Sequence, residues 1–179
     1  PYKTYFGVGW MKRYTEILAQ FYHRNNLMKM AMVRPANIYG IQGDFSDKTG
    51  HVLPALIRRA LEKQDPYIVW GNPDVVRDFT HSTDMARACL GVVEKYAVCD
   101  PVNIACGNLV TIGESVDLIL KSADHNVTPQ YDESKPVTIQ YRALDTTKAR
   151  DILGYEPKVS FEDGIQETVD WIREKLGDK

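Results

Sequence analysis

Cysteine is scarce. The 179 residues hold three, Cys89, Cys99 and Cys106, and no two are spaced as Cys-x-x-Cys. This excludes a disulfide-stapled scaffold and a thiolate zinc ribbon, and it fits a reducing, cytoplasmic compartment with all three thiols inert. No apolar run approaches the roughly 18 residues of a membrane span. The opening Pro1-Tyr2-Lys3-Thr4-Tyr5 has no apolar signal-peptide core. Charge of one sign is lacking as well: 22 Lys and Arg stand against 24 Asp and Glu, a formal net charge of -2. Neither nucleic acid nor an anionic membrane is therefore expected as a partner. No His, Cys, Asp and Glu set has metal-ligand spacing, so no metal is expected. Internal repeats, low-complexity tracts and obvious linkers are also missing.

What is present is ordinary globular material. Hydrophobic residues make up 44% of the chain, enough for one good core or two small ones. Met11, Tyr14, Leu18, Phe21 and Tyr22 recur at helical spacing and predict a helix over 8–25, leaving at Asn25-Asn26. Met28 to Val33 is short and mostly apolar and reads as a buried strand. A glycine-bearing loop without periodicity runs over 37–50. A helix over 52–63, a strand over 67–70, a turn at Gly71-Asn72-Pro73-Asp74, a polar loop and a helix over 83–96 follow. Val102 to Ala105 reads as a strand. Thr111 and Glu114 have capping-box spacing for a helix to about 122, as do Ser160 and Asp163 for a last helix to about 176. Asp145 can cap a short helix that Gly154 ends.

Strands and helices alternate, which argues an α/β fold. A long amphipathic helix feeding one buried-type strand needs more sheet to pack against, because a lone strand leaves backbone groups unpaired. On these grounds more chain is expected upstream, and the initial residue, Pro rather than Met, fits a trimmed or cut start.

Five segments resemble, in order, one family. Val8-Gly9-Trp10-Met11-Lys12 is similar to its catalytic Tyr-x-x-x-Lys helix, and Arg34-Pro35-Ala36-Asn37-Ile38-Tyr39-Gly40 to its RPxNxYG segment. Ile68-Val69-Trp70-Gly71 with Arg77-Asp78-Phe79-Thr80-His81-Ser82-Thr83-Asp84 resembles its iWG and RDFxHxxD segments. Val102 to Gly107 resembles its yNiasG strand, and Leu153-Gly154-Tyr155-Glu156-Pro157 with Gly164, Ile165 and Trp171 resembles its tail. The family is the NAD-dependent epimerase/dehydratases of the extended short-chain dehydrogenase type, which includes GDP-fucose synthase-like enzymes.

The resemblance implies a remnant of a Rossmann-type sheet, one helix and one strand over residues 1–40, followed by a smaller α/β substrate-binding domain over 41–179. It implies NAD or NADP as cofactor in the intact family and a nucleotide diphosphate sugar as substrate. Lys12 and Pro35 fall on the cofactor side. Asn37, His51, Pro54, Trp70, Arg77 and Arg142 fall on the substrate side, Arg77 as a diphosphate ligand whose guanidinium offers a fork of donors. For each a plainer role stands beside this one: a turn residue for Asn37, a core aromatic for Trp70 and Tyr67, an ion pair with Asp78 or Asp84 for Arg77. His81 with Asp84 is expected to be structural.

Two departures matter. No G-x-x-G-x-x-G phosphate loop occurs in the sequence, so the pyrophosphate has no glycine cradle and this chain alone is expected to bind no dinucleotide. Val8 stands at the catalytic tyrosine position. Residues four apart share a helix face, so a tyrosine at 8 would sit beside Lys12, but valine has no proton to move. Tyr5 is seven residues from Lys12, about 10 Å along a helix, too far to be tuned by it. The chain alone is expected to be inactive. It is read as the nucleotide-sugar-binding part of an epimerase/dehydratase working with a complementing N-terminal half, or alternatively as a standalone non-catalytic interaction protein. A homodimer or larger assembly through the first helix or the strand Met28 to Val33 is expected in the second case.

Overall fold

The structure is a computed structural model that describes residues 5–46, 50–135 and 139–177. Within them the chain alternates helices and short strands: α1 (Phe6–Arg24), β1 (Val33–Pro35), β2 (Asn37–Tyr39), α2 (Val52–Leu61), β3 (Ile68–Trp70), β4 (Val76–His81), α3 (Ser82–Lys95), β5 (Val102–Ile104), β6 (Leu109–Thr111), α4 (Ile112–Ser122), β7 (Gln130–Asp132), α5 (Thr147–Leu153) and α6 (Phe161–Gly177). The expected α/β class holds.

The strands form three small sheets. β1 pairs with β5 in parallel, β4 lies between parallel β2 and antiparallel β6, and β3 pairs in parallel with β7. Two hydrophobic clusters result. The larger one joins α2, α4 and α6 to the β2–β4–β6 and β3–β7 sheets, with Leu56, Ile57, Val116, Ile119, Ile165, Val169 and Ile172 at its centre. The smaller one packs Met85, Ala88 and Val92 of α3 and Ala149 of α5 against Val102 and Ile104 of β5, with Tyr155 closing it. The expected boundary after residue 40 falls just beyond β2, whereas the smaller cluster gathers residues as far apart as Val33 and Tyr155.

Local signals set the helix ends. Thr111 and Glu114 form the reciprocal capping box at the start of α4. Ser160 Oγ accepts the Asp163 N–H before α6, and Asp145 Oδ1 accepts the Thr147 N–H before α5. Gly154 ends α5 in the left-handed region, φ 63°, where a side chain would be strained. Gly164 lets α6 lie directly on the Tyr39 ring, since a Cβ there would collide with the phenol.

Several expectations are corrected. The strand read over 28–33 forms instead at Val33–Pro35, and Met28 is exposed. Its partner β5 is only three residues long, so the ladder reaches back only through isolated bonds, Cys99 N–H to Met30 O and Val102 N–H to Met32 O. The loop read over 37–50 begins with strand β2; residues 47–49 of it lie outside the described residues. The polar loop before the third helix is strand β4, the middle strand of its sheet. Its polarity misleads because Asp78, Thr80 and His81 are buried there, and β-propensity follows packing more than composition. β6 and β7 also gave no periodic signal.

Candidate functional site

Strand β4 carries the site's central cation. Successive strand side chains point to opposite faces, so Arg77 and Asp78 diverge. Arg77 is partly buried and donates from its guanidinium to the carbonyl of Val76 at 2.7 Å and that of Gln140 at 3.5 Å. Burial is the first cause lowering its pKa, and the Arg142 guanidinium is the second. Two cations held close enough to repel each other in one place, with neither neutralised by a carboxylate among the described residues, make a site that favours an anion.

Arg142 reaches this place through the backbone. Its N–H donates to Val76 O at 3.2 Å, and Tyr141 beside it bridges to Val76. The third member comes from elsewhere in the chain: Tyr5, at the N-cap of α1, lies near enough for its phenol to interact with the Arg77 charge. Tyr5 and Tyr141 were not singled out as ligand candidates, and no local pattern marks them. Both are brought in by tertiary placement.

Asp78 and Asp84, the carboxylates that could have neutralised Arg77, are engaged otherwise. Asp78 accepts the N–H groups of Cys106 and Gly107, each at 3.0 Å. Asp84 pairs with Arg87 and accepts the N–H groups of Lys158 and Val159. The ion-pair reading of Arg77 is therefore replaced by an open guanidinium. His81 is structural: its Nδ1 accepts the Thr83 N–H at the head of α3, and its Nε2 lies 3.2 Å from a Glu167 carboxylate oxygen.

The remaining candidates fall in different places. Asn37 lies on β2 in register with Phe79 of β4, so it is one strand away from Arg77. Trp70 ends β3 and is 70% exposed, with Lys135 Nζ 5.6 Å from its ring centre. It is a platform and not a core residue. Tyr67, by contrast, is fully buried and donates its hydroxyl to Leu56 O. His51 is the exposed N-cap residue of α2 and makes no side-chain capping bond. Pro54 is buried in the first turn of α2 beside Gly43.

Pro35 ends β1 opposite Ile104. Lys12 stands on α1, exposed and one turn from the exposed Val8. Neither makes a side-chain hydrogen bond among the described residues. Among the described residues no glycine-rich turn precedes a helix N-terminus beside them. No hydride step is assigned to them. Groups of three or more His, Cys, Asp or Glu that could hold a metal ion are absent among the described residues, and no described helix is long and apolar enough to cross a membrane.

Comparison with known proteins shows the family and the fold. The sequence profile of the NAD dependent epimerase/dehydratase family matches residues 1–105. GDP-L-fucose synthase 1 of Arabidopsis thaliana is 36% identical over 141 residues, covering 76% of this chain and 43% of the relative. GDP-L-fucose synthase of Escherichia coli K12 is 29% identical over 170 residues, covering 88% of this chain and 53% of the relative. The chain thus spans about half the length of the curated relatives it matches. Among solved structures, UDP-glucose 4-epimerase with UDP-glucose from Thermotoga maritima superposes with a TM-score of 0.86 at 30% identity, over 94% of this chain and 53% of that one. A GDP-L-fucose synthetase from Naegleria fowleri, at 24% identity and a TM-score of 0.86, shares the fold.

Proposed function

This chain belongs to the NAD-dependent epimerase/dehydratase family, and from that premise we propose that it is the nucleotide-sugar-binding part of such an enzyme. The observation that carries this reading is the nearness of the partly buried Arg77 to the exposed Arg142, with no carboxylate paired to either among the described residues. A diphosphate supplies the missing negative charge, and guanidinium forks match its oxygens. Tyr5 and Tyr141 flank it, Asn37 approaches from the neighbouring strand, and the exposed Trp70 offers a face for the base. His51 stands at the head of α2 on the same substrate side, and Pro54 shapes the turn behind it.

Family members use NAD or NADP, and when bound the cofactor exchanges a hydride with the sugar. In this chain Lys12 would hold ribose hydroxyls and Pro35 would border the cofactor. Val8 supplies no proton, so we assign this chain binding without turnover by itself. A complementing N-terminal half would bring the phosphate-binding glycines and extend the β1–β5 sheet. The division into a unit over 1–40 and a substrate unit over 41–179 follows the same reading, with α3, β5 and α5 returning to the first unit's sheet. Plant GDP-fucose synthases at 36% identity make a guanosine diphosphate sugar the first candidate.

Titration calorimetry of the purified chain with GDP-, UDP-, dTDP- and CDP-sugars tests this. One nucleotide class is expected to bind with a dissociation constant on the order of micromolar, and Arg77→Ala to weaken it by roughly 10- to 150-fold. Binding to none of them, or equal binding by Arg77→Ala, overturns the reading.

One observation favours a second reading, a non-catalytic interaction protein. α1 has no buried residue, and Phe6, Met11, Tyr14 and Phe21 on it are all more than half exposed. Exposed apolar faces of this size mark contact surfaces. A homodimer through α1, in a cytoplasmic setting, is the form this takes. Sedimentation that stays monomeric at high concentration would remove it.

A further inference from the structure

The chain crosses between the two hydrophobic clusters five times; the passage from Tyr131 to Ala149 contains residues outside the described ones, and the other four run, in order, from Val33 to Tyr39, from Phe79 to Met85, from Ile104 to Val110 and from Tyr155 to Phe161. The second crossing is the junction of β4 and α3. A buried carboxylate stands at each end of it, Asp78 at 2% exposure and Asp84 at 1%. Each carboxylate takes two consecutive backbone N–H groups from another crossing. Asp78 holds Cys106 and Gly107 of the third, at 3.0 Å each. Asp84 holds Lys158 and Val159 of the fourth, at 3.0 and 3.1 Å. The first crossing is closed by backbone alone, Ala36 N–H to Ile104 O.

We propose that Asp78 and Asp84 are positioning residues that lock the two clusters in one relative orientation by gripping the two crossings that return between them. The physical case rests on donor counting. A carboxylate presents two acceptor oxygens and no donor, so it can satisfy adjacent amides together. At Asp78 the two amides take separate oxygens, so an asparagine would turn its own N–H groups against the second amide; at Asp84 both amides take Oδ2 and Oδ1 takes Arg87, so an asparagine would turn its N–H groups against that guanidinium. Gly107, at φ +78°, lets the third crossing turn so that two successive N–H groups face one side chain. Burial raises the Asp78 carboxyl above the usual carboxylate range, and only those two amide bonds oppose it. A charge placed there without a cation is expensive; its return is a fixed joint. The consequence reaches the anion site, since Arg77 precedes Asp78 on the same strand. The role goes beyond nucleotide binding and stands whether or not that reading holds.

The test uses N–H residual dipolar couplings of the weakly aligned chain. Helices α3 and α5 report one cluster, and α2, α4 and α6 the other. In the unaltered chain, and in a Val169→Ala control that weakens the larger core away from every crossing, a single alignment tensor is expected to fit both groups. In Asp78→Asn and in Asp84→Asn two tensors are expected, with exchange of the Gly107 amide rising about tenfold or more in the first variant and that of Val159 in the second. One tensor fitting both Asn variants overturns the proposal. A purely stabilising role would loosen Val169→Ala and the Asn variants alike. Should both Asn variants fail to fold, the unaltered chain decides. Gly107 and Val159 amides as protected as that of Val102 support the joint, and exchange at free-loop rates overturns it.

Discussion

Helices α1 and α6 are of nearly equal length, 19 and 17 residues, and both are amphipathic. α6 buries Phe161, Gly164, Ile165, Thr168, Val169 and Ile172 between α2, α4 and the β2–β4–β6 sheet, while α1 buries nothing. α1 is tied to the described fold by a polar contact, Glu16 to the Arg34 side chain of β1 through two bonds of 2.7 and 2.8 Å. An apolar stripe states that a face is to be covered, not by what. For α6 the cover lies in the same chain. No residue of α1 is buried among the described residues, and its cover is the partner proposed above, a second copy or a complementing half.

Four measurements sharpen or break this contrast. The largest effect is expected in the well-packed helix. Ile172→Ala, at a fully buried position, should cost about 2–5 kcal/mol in urea unfolding through lost burial and a residual cavity. A loss under about 1 kcal/mol would mean that the larger cluster is loosely packed. Next comes the anion site that the larger cluster supports. Arg77→Ala should cost about 1.5–3 kcal/mol of nucleoside diphosphate affinity by calorimetry, the range for charge-assisted hydrogen bonds, with the melting temperature little changed. A matching loss of folding stability would recast Arg77 as structural.

The tether of α1 is worth less. Hydrogen bonding to Arg34 lowers the Glu16 pKa below the usual carboxylate range. A group depressed in the folded state contributes stability that is present above its unfolded pKa and lost as pH falls through the folded one. Glu16→Gln should therefore destabilise by about 0.2–1 kcal/mol at pH 7, the range for a partly exposed pair. The gap to the parent chain should close as the pH is lowered below the folded pKa. A gap that persists there would point to packing and not charge. Smallest of all should be the stability effect of Tyr14→Glu or Phe21→Glu on the exposed face of α1, within about 0.5 kcal/mol for the dilute chain. The same variants should abolish any concentration-dependent self-association in sedimentation. An unfolding effect as large as that of Ile172→Ala would show that α1 is already covered, and the contrast would fail.

Much of the helical scaffold was readable because its signals are local. Thr111 with Glu114, Ser160 with Asp163 and Gly154 after α5 act through groups a few residues apart, and each ended up as its spacing required, whereas the N-cap of α5 is Thr146 and Asp145, one residue earlier, accepts the Thr147 N–H. The strands read poorly. β4 carries Arg77, Asp78, Thr80 and His81, a polar run that no periodicity marks. It becomes a central strand because distant amides at Cys106 and Gly107 satisfy one of its charges. Within the candidate site, Arg77 and Arg142 were named from sequence, but their mutual repulsion was not. Tyr5, weighed only as a stand-in for the residue at position 8, lies near enough to Arg77 to interact with its charge.

The sequence by itself determined the α/β alternation, the helix caps, the family and the departures at Val8 and the glycine loop. All of these depend on residue type at fixed short spacing. Only the tertiary structure decided which polar residues are buried, which cations share a place, and where the two clusters are stitched together. Those properties belong to contacts such as Asp84 with Lys158 and Val159, 74 and 75 residues away. Such contacts form only when the whole chain has closed its loops, so no window of sequence contains them.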